Sequence, residues 1–152
     1  MVESREPAAV EAYLHRHIPV SRAMAVRVVA CTAAHVRLQA PLAANVNHRA
    51  TVFGGSASAV AILAAWTWLH YALQESGLRC RVVIQRNTID YLAPIDGDFA
   101  GECDGLDPVA LERLRRTLRR YGKARTTLEA RLVLRGKTVA RFSGAYVALL
   151  GS

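Results

Sequence analysis

The segment Asn45-Val46-Asn47-His48-Arg49-Ala50-Thr51-Val52-Phe53-Gly54-Gly55-Ser56 gathers residue types suited to chemistry at a carbonyl group. Gly54 and Gly55 stand at the entrance to a long apolar stretch. Lacking Cβ atoms, they let a second molecule approach the backbone closely. The first N–H groups of a helix starting there have no internal partner and lie at its positive dipole end. A carbonyl oxygen gaining negative charge would be stabilised by them. An Asn in the preceding loop can orient a water or hold a substrate, and His48 can act as a base near neutral pH. Each feature also has a plainer reading. Gly-Gly before a helix makes a tight turn, a loop Asn bonds its own backbone, a lone His is solvated or structural, and Ser56 caps the helix.

The elements that must position these residues follow from periodicity. Glu6 to His17 reads as a short helix with Pro7 in its first turn, ended by Ile18-Pro19. Ala23 to Ala30 is strand-like, and His35 to Ala40 alternates apolar and polar as a half-buried strand does. From Gly55 to about Gln74 no Asp, Glu, Lys or Arg appears, and Gly77 suits the end of a single long helix. Arg81 to Leu92 and Phe99 to Cys103 read as strands. Asp107-Pro108 opens an amphipathic helix with Leu111, Leu114, Leu118 and Tyr121 on one face and arginines over the rest. Lys123 to Leu134 alternates again, and Arg135-Gly136-Lys137 turns into a last strand, Thr138 to Leu149. The long helix is apolar nearly all round and needs enclosing, which a curled antiparallel sheet would do.

Composition bounds the rest. The 152 residues, 52% of them hydrophobic and 21% charged, suit one packed domain over 1–152 and exclude a wholly disordered chain. A formal charge of +8 favours anionic partners. Aromatics do not interleave with the basic run, and no nucleic-acid motif is present, so nucleic acid is not expected. Cys31, Cys80 and Cys103 have no zinc spacing, so no metal is expected, and their odd number favours a reducing cytoplasm. Met1 to Pro7 lacks a hydrophobic signal core. The apolar stretch is long enough to span a bilayer. Its Ala, Gly and Ser content and its central Trp66-Thr67-Trp68 favour a buried helix over a membrane span.

The element order and several motifs resemble the hot-dog fold, an α+β architecture in which a curved antiparallel sheet wraps a long central helix. Within it, the chain is similar to the thioesterase family formed by the C-terminal domain of YiiD-type proteins. The resemblance spans about residues 8 to 150. It rests on Pro41-Leu42-Ala43-Ala44-Asn45-Val46-Asn47-His48, Thr51-Val52-Phe53-Gly54-Gly55-Ser56, Tyr91-Leu92-Ala93-Pro94 with Gly97-Asp98, and the helix from Asp107 into Lys123-Ala124-Arg125. It implies hydrolysis of an acyl thioester, acyl-CoA or an acyl carrier protein conjugate, by water attack at a subunit interface. A homodimer or homotetramer is implied, with no cofactor beyond the coenzyme A of the substrate.

The resemblance also implies roles. Asn47 positions the reacting groups, Gly55 supplies the oxyanion N–H, and Gly54 permits close approach, with Phe53 and Ser56 beside the substrate. Relatives carry an Asp or Glu about two turns into the helix; here that position is Ile62, and no acid lies between Arg49 and Glu75. His48 is the first substitute base, with Asp90 and Asn87 on the third strand behind it. Arg81, Arg86, Lys123 and Arg125 are candidates for the phosphates of coenzyme A. The missing acid keeps open a non-catalytic module that binds acyl-CoA or an acyl carrier, and the arginine-rich helix keeps open a basic oligomerisation partner of another enzyme.

Overall fold

The computed structural model describes residues 5–151. The expectation for the N-terminal residues falls partly on 1–4, outside the described residues. The chain forms α1 (Pro7–His17), α2 (Val20–Ala23), β1 (Arg27–Cys31), β2 (Val36–Ala40), α3 (Gly54–Glu75), β3 (Cys80–Tyr91), β4 (Phe99–Cys103), α4 (Pro108–Tyr121), β5 (Lys123–Leu134) and β6 (Lys137–Leu150). The expected elements match this order with one correction: Val20–Ala23 are helical and β1 starts only at Arg27. Pro19 takes a right-handed helical conformation that starts the turn, and Ala25, at φ 56°, breaks it.

The strands make one antiparallel sheet in the order β1-β2-β4-β5-β6-β3. Its inner face wraps α3, whose Val60, Ala61, Ala64, Ala65, Trp68 and Leu69 are buried. This is the hot-dog arrangement. The length and apolarity of α3 would let it cross a bilayer, but most of it is buried inside the sheet, as a core helix is. Small residues let helix and sheet meet closely. A Cβ at Gly101 would lie 2.9 Å from Val60 Cγ1.

The two sheet edges differ. On β1 the Val28 N–H donates to Glu11 Oε1 of α1 at 2.9 Å, and just before the strand His15 Nε2 donates to the Val26 carbonyl at 2.7 Å. Side chains thus occupy backbone groups of that edge. Among the described residues, edge strand β3 is paired only with β6.

Strand pairing fixes which side chains face α3. Cross-strand partners share a face of the sheet. On β6 the buried Phe142, Gly144 and Tyr146 face the helix, with the Tyr146 hydroxyl donating to the Ile62 carbonyl at 2.7 Å. Asn87 pairs with Gly144, Ile89 with Phe142 and Tyr91 with Ala140, so all three are on the inner face. Arg86, Thr88 and Asp90 pair with Ala145, Ser143 and Arg141 on the outer face. A bulge at Gln85 resets the alternation between Ile84 and Arg86.

Candidate active site

The loop before α3 is tied at both ends. Asn45 is buried, and its Nδ2 donates to the carbonyls of Met24 (2.9 Å) and Pro41 (2.8 Å). Its own carbonyl accepts the Phe53 N–H at 2.7 Å. The Val52 N–H donates to the Ile95 carbonyl at 2.8 Å, joining the loop to the segment after β3. Asn45 therefore anchors the loop.

Asn47 closes a turn within it. Its Oδ1 accepts the N–H groups of Arg49 (2.8 Å) and Thr51 (3.2 Å), and its Nδ2 donates to Thr51 Oγ1 at 2.8 Å. Both ends of the amide are thus engaged inside the 47–51 turn. His48 sits exposed in that turn. The spacing that suggests a positioning amide equally specifies this turn, a plainer role already open from the sequence.

Helix α3 begins at Gly54, with Phe53 as N-cap and no side-chain cap, and its first turn contains no acidic residue. Ser56 is the third helical residue and does not cap. The Ala57 N–H donates to the Phe53 carbonyl at 3.0 Å. That leaves the N–H groups of Gly54, Gly55 and Ser56 without hydrogen-bond partners among the described residues. The Phe53 ring lies against Gly55, where an added Cβ would be 2.4 Å from Cε2. The Tyr91 hydroxyl donates to the Gly54 carbonyl at 2.8 Å.

This helix tip opens onto a cleft of about 380 Å³ lined by Thr51, Val52, Ala57 and the run from Tyr91 to Ile95. Two of its lining side chains, Tyr91 and Leu92, are large, apolar and about half exposed, at 51% and 50%. From the tip a half-buried stripe runs along α3 through Ser58, Ala59, Ile62 and Trp66. Ile62, where an acid is expected from the resemblance, lies on this stripe.

The remaining candidates divide by sheet face. Asn87 shares the inner face with Tyr91. Asp90 and Arg86 lie on the outer face, away from α3. Within one protomer the period-two alternation, reset by the bulge, turns Asp90 away from Gly55. Lys123 and Arg125 pair with Leu149 and Val147, also on the outer face. Arg86 and Arg125 line an outer-face depression of about 530 Å³ with Gln85, Thr88, Thr127 and Ser143, and Arg125 Nη1 donates to Gln85 Oε1 at 3.1 Å. A second, of about 470 Å³, is lined by Arg27, Arg37 and Arg135. Neither is lined by a residue of α3.

The site residue missed at the sequence level is Tyr91. It lies 37 positions from Gly54, so only sheet pairing reveals their contact. The signal available was the Tyr91-Leu92-Ala93-Pro94 motif, noted for resemblance but not for chemistry.

The same architecture occurs in solved structures. A protein of unknown function from Chlorobaculum tepidum superimposes with TM-score 0.89 at 27% identity, covering 95% of this chain and 94% of that one. A "putative thioesterase" from Shewanella oneidensis gives TM-score 0.80 at 29% identity, covering 94% and 96%. A protein of unknown function from Pseudomonas aeruginosa, described as a probable thioesterase, shares the fold with TM-score 0.82 at 22% identity, covering 98% and 99%. The family model described as "Putative thioesterase (yiiD_Cterm)" matches residues 7–150. With nearly its whole length matched, from the helix before the sheet to the last strand, the chain belongs to the YiiD C-terminal thioesterase family.

Proposed function

We propose that the protein hydrolyses acyl thioesters, with acyl-CoA or an acyl carrier protein conjugate as substrate, at the tip of α3. The observation that carries this reading is the uncapped helix start, with three free N–H groups beside an open, apolar-rimmed cleft. In the reaction, water attacks the thioester carbonyl carbon. The oxygen becomes negative and is held by the Gly55 N–H, where the helix dipole favours charge. Collapse breaks the C–S bond, giving a carboxylic acid and a thiol. His48 takes the water proton and returns it to the departing sulfur. Asn47 holds the turn that carries His48. Phe53 and Tyr91 supply apolar surface for the acyl group, and Gly54 leaves the approach clear.

The second protomer enters through β3. Its free edge and the adjoining half-buried stripe of α3 together present unpaired strand groups beside apolar side chains, the combination that a two-fold pairing of sheets covers. We place the cleft at that seam in a homodimer, with the bare outer sheet face available for a tetramer.

Thiol release across acyl-CoAs of graded chain length tests the reaction. Turnover of at least one is expected, and none above background on any chain length sinks the enzymatic reading. His48→Ala is expected to lower kcat by about 10²-fold or more, the range for loss of a general base. The second reading, a module that binds acyl-CoA without turnover, is favoured by Ile62 on the seam-facing stripe. Tight acyl-CoA binding with no hydrolysis, unchanged in His48→Ala, would select it.

A further inference from the structure

We infer that Tyr91 is a positioning residue that orients the Gly54–Gly55 peptide so that the Gly55 N–H faces the cleft. The inference rests on the proposed function for its catalytic consequence, while the geometry stands independently. The Tyr91 hydroxyl donates to the Gly54 carbonyl oxygen at 2.8 Å. That carbonyl and the Gly55 N–H belong to one planar peptide unit and point in opposite directions. Fixing one therefore fixes the other.

The constraint matters because of the residues involved. Two successive glycines have the widest backbone freedom of any pair. They start a helix with no side-chain cap, so apart from the helix's own backbone bonds no side chain of the first turn holds their peptide plane. The phenol comes from the last residue of β3, which is held in the sheet by its pairing with Ala140. The next residue is anchored too, the Leu92 N–H donating to the Val139 carbonyl at 2.8 Å. The sheet thus reaches across to the helix tip through one side chain.

The contact also polarises the donor. The Gly54 carbonyl is the regular acceptor for the Ser58 N–H four residues on. A second donor on the same oxygen draws electron density through the amide and strengthens the N–H on the far side. Burial pushes the Tyr91 phenol above the ordinary tyrosine range, so it remains a donor throughout the neutral range. A Cβ on Gly54 would lie 3.4 Å from the Tyr91 oxygen, in van der Waals contact with it, so the phenol sits directly against this peptide.

The test compares Tyr91→Phe with Tyr91→Leu in the full chain, using the acyl-CoA that the wild type hydrolyses fastest. Tyr91→Phe keeps the ring and loses only the hydroxyl. It is expected to lower kcat by about tenfold with KM and Tm unchanged, a smaller loss than removal of an oxyanion donor itself. Tyr91→Leu should lose as much kcat and also lower Tm. The pH profile of kcat should keep its shape in Tyr91→Phe. In ¹⁵N-labelled protein, the Gly55 amide resonance should move while amides beyond the first turn of α3 stay in place. Wild-type kcat in Tyr91→Phe, or a loss seen only in Tyr91→Leu, would overturn the inference, because the ring would then act by packing alone. A changed pH profile would overturn it too, by making the phenol an acid in the reaction. If the wild type turns over no thioester, the proposed function fails; the Gly55 amide shift then decides the orienting role without it.

Discussion

At the residue scale, Asn47 shows how one amide can serve a site without touching a substrate. Its oxygen gathers two backbone N–H groups and its nitrogen holds Thr51 Oγ1. The half-buried amide thus keeps His48 and Thr51 in fixed relation. Asn47→Ala removes these bonds and leaves the N–H groups to water. It is expected to lower unfolding stability by about 1–2 kcal/mol, read by urea denaturation. Because the turn loosens, kcat should fall with it. A variant as stable as the wild type would show the turn holds without the amide. Gly105 is a second decisive residue. At φ 74° its missing Cβ would lie 1.9 Å from Trp68 Cε2, and the Trp68 indole N–H is committed to the Ala33 carbonyl at 2.9 Å. Gly105→Ala combines left-handed strain with overpacking of a buried indole. A loss of about 3 kcal/mol or more is expected, with a shift in Trp fluorescence of the native state.

At the element scale, the contrast between the sheet edges governs how the molecule presents itself. Strand β1 is closed by Glu11 and His15 of α1, whereas β3 has no strand beyond it among the described residues. Glu11→Ala strips the acceptor from the Val28 N–H. It is expected to cost about 1–3 kcal/mol by chemical denaturation, the range for a polar group losing its partner. If β3 is the pairing edge, analytical ultracentrifugation of the wild type gives a dimer or tetramer. Ile62→Lys, which puts a charge on the adjoining helix stripe, should then shift the population to monomer while far-UV circular dichroism stays unchanged. A wild-type monomer at high concentration would refute the seam. Helix α4 is fixed more locally: Asp107 accepts the Ala110 N–H at 2.8 Å, and Gly122 ends the helix at φ 72°.

At the scale of the whole molecule, charge is arranged as a network across the outer sheet. Glu102 pairs with Arg37 and Arg131, and Arg131 and His35 both bind Asp104 at 2.7–2.8 Å. Hydrogen bonds from Arg131 and then His35 hold the Asp104 carboxyl below its usual range. A carboxylate depressed on folding contributes stability above its unfolded pKa and loses it as pH falls through the folded one. Stability should therefore drop below about pH 4, and Asp104→Asn should flatten that acid limb. The alkaline side has the opposite sign. Burial pushes the Cys103 thiol up to about 11 and also raises the Tyr146 phenol. Groups raised on folding stabilise below their unfolded pKa and lose that contribution as pH rises through the folded one. Thermal melts should decline from the ordinary thiol range upward, and Cys103→Ala should remove part of that decline.

Local pattern carried much of this fold. The two-residue alternation of β2 and β5, the uncharged run that became α3 and the Asp-Pro start of α4 are each encoded within a dozen or two neighbouring residues, so the sequence alone determined most element types and their order. One short element escaped. The Pro19 turn and left-handed Ala25 place a helix where Val26, Val28 and Val29 suggest an early strand start. The Asn-His…Gly-Gly segment likewise announced the loop and helix start, because a turn and a close approach each demand particular residues at short range. Tertiary structure alone decided which candidates meet. Asn87 and Asp90 are three positions apart and so fall on opposite faces, and the bulge at Gln85, which resets the pleat before both, decides that Asn87 and not Asp90 shares the face of α3. Tyr91 reaches Gly54 only because sheet closure brings the end of β3 to the tip of α3. Such contacts join segments far apart in the chain, and the register that creates them is fixed by packing over the whole core.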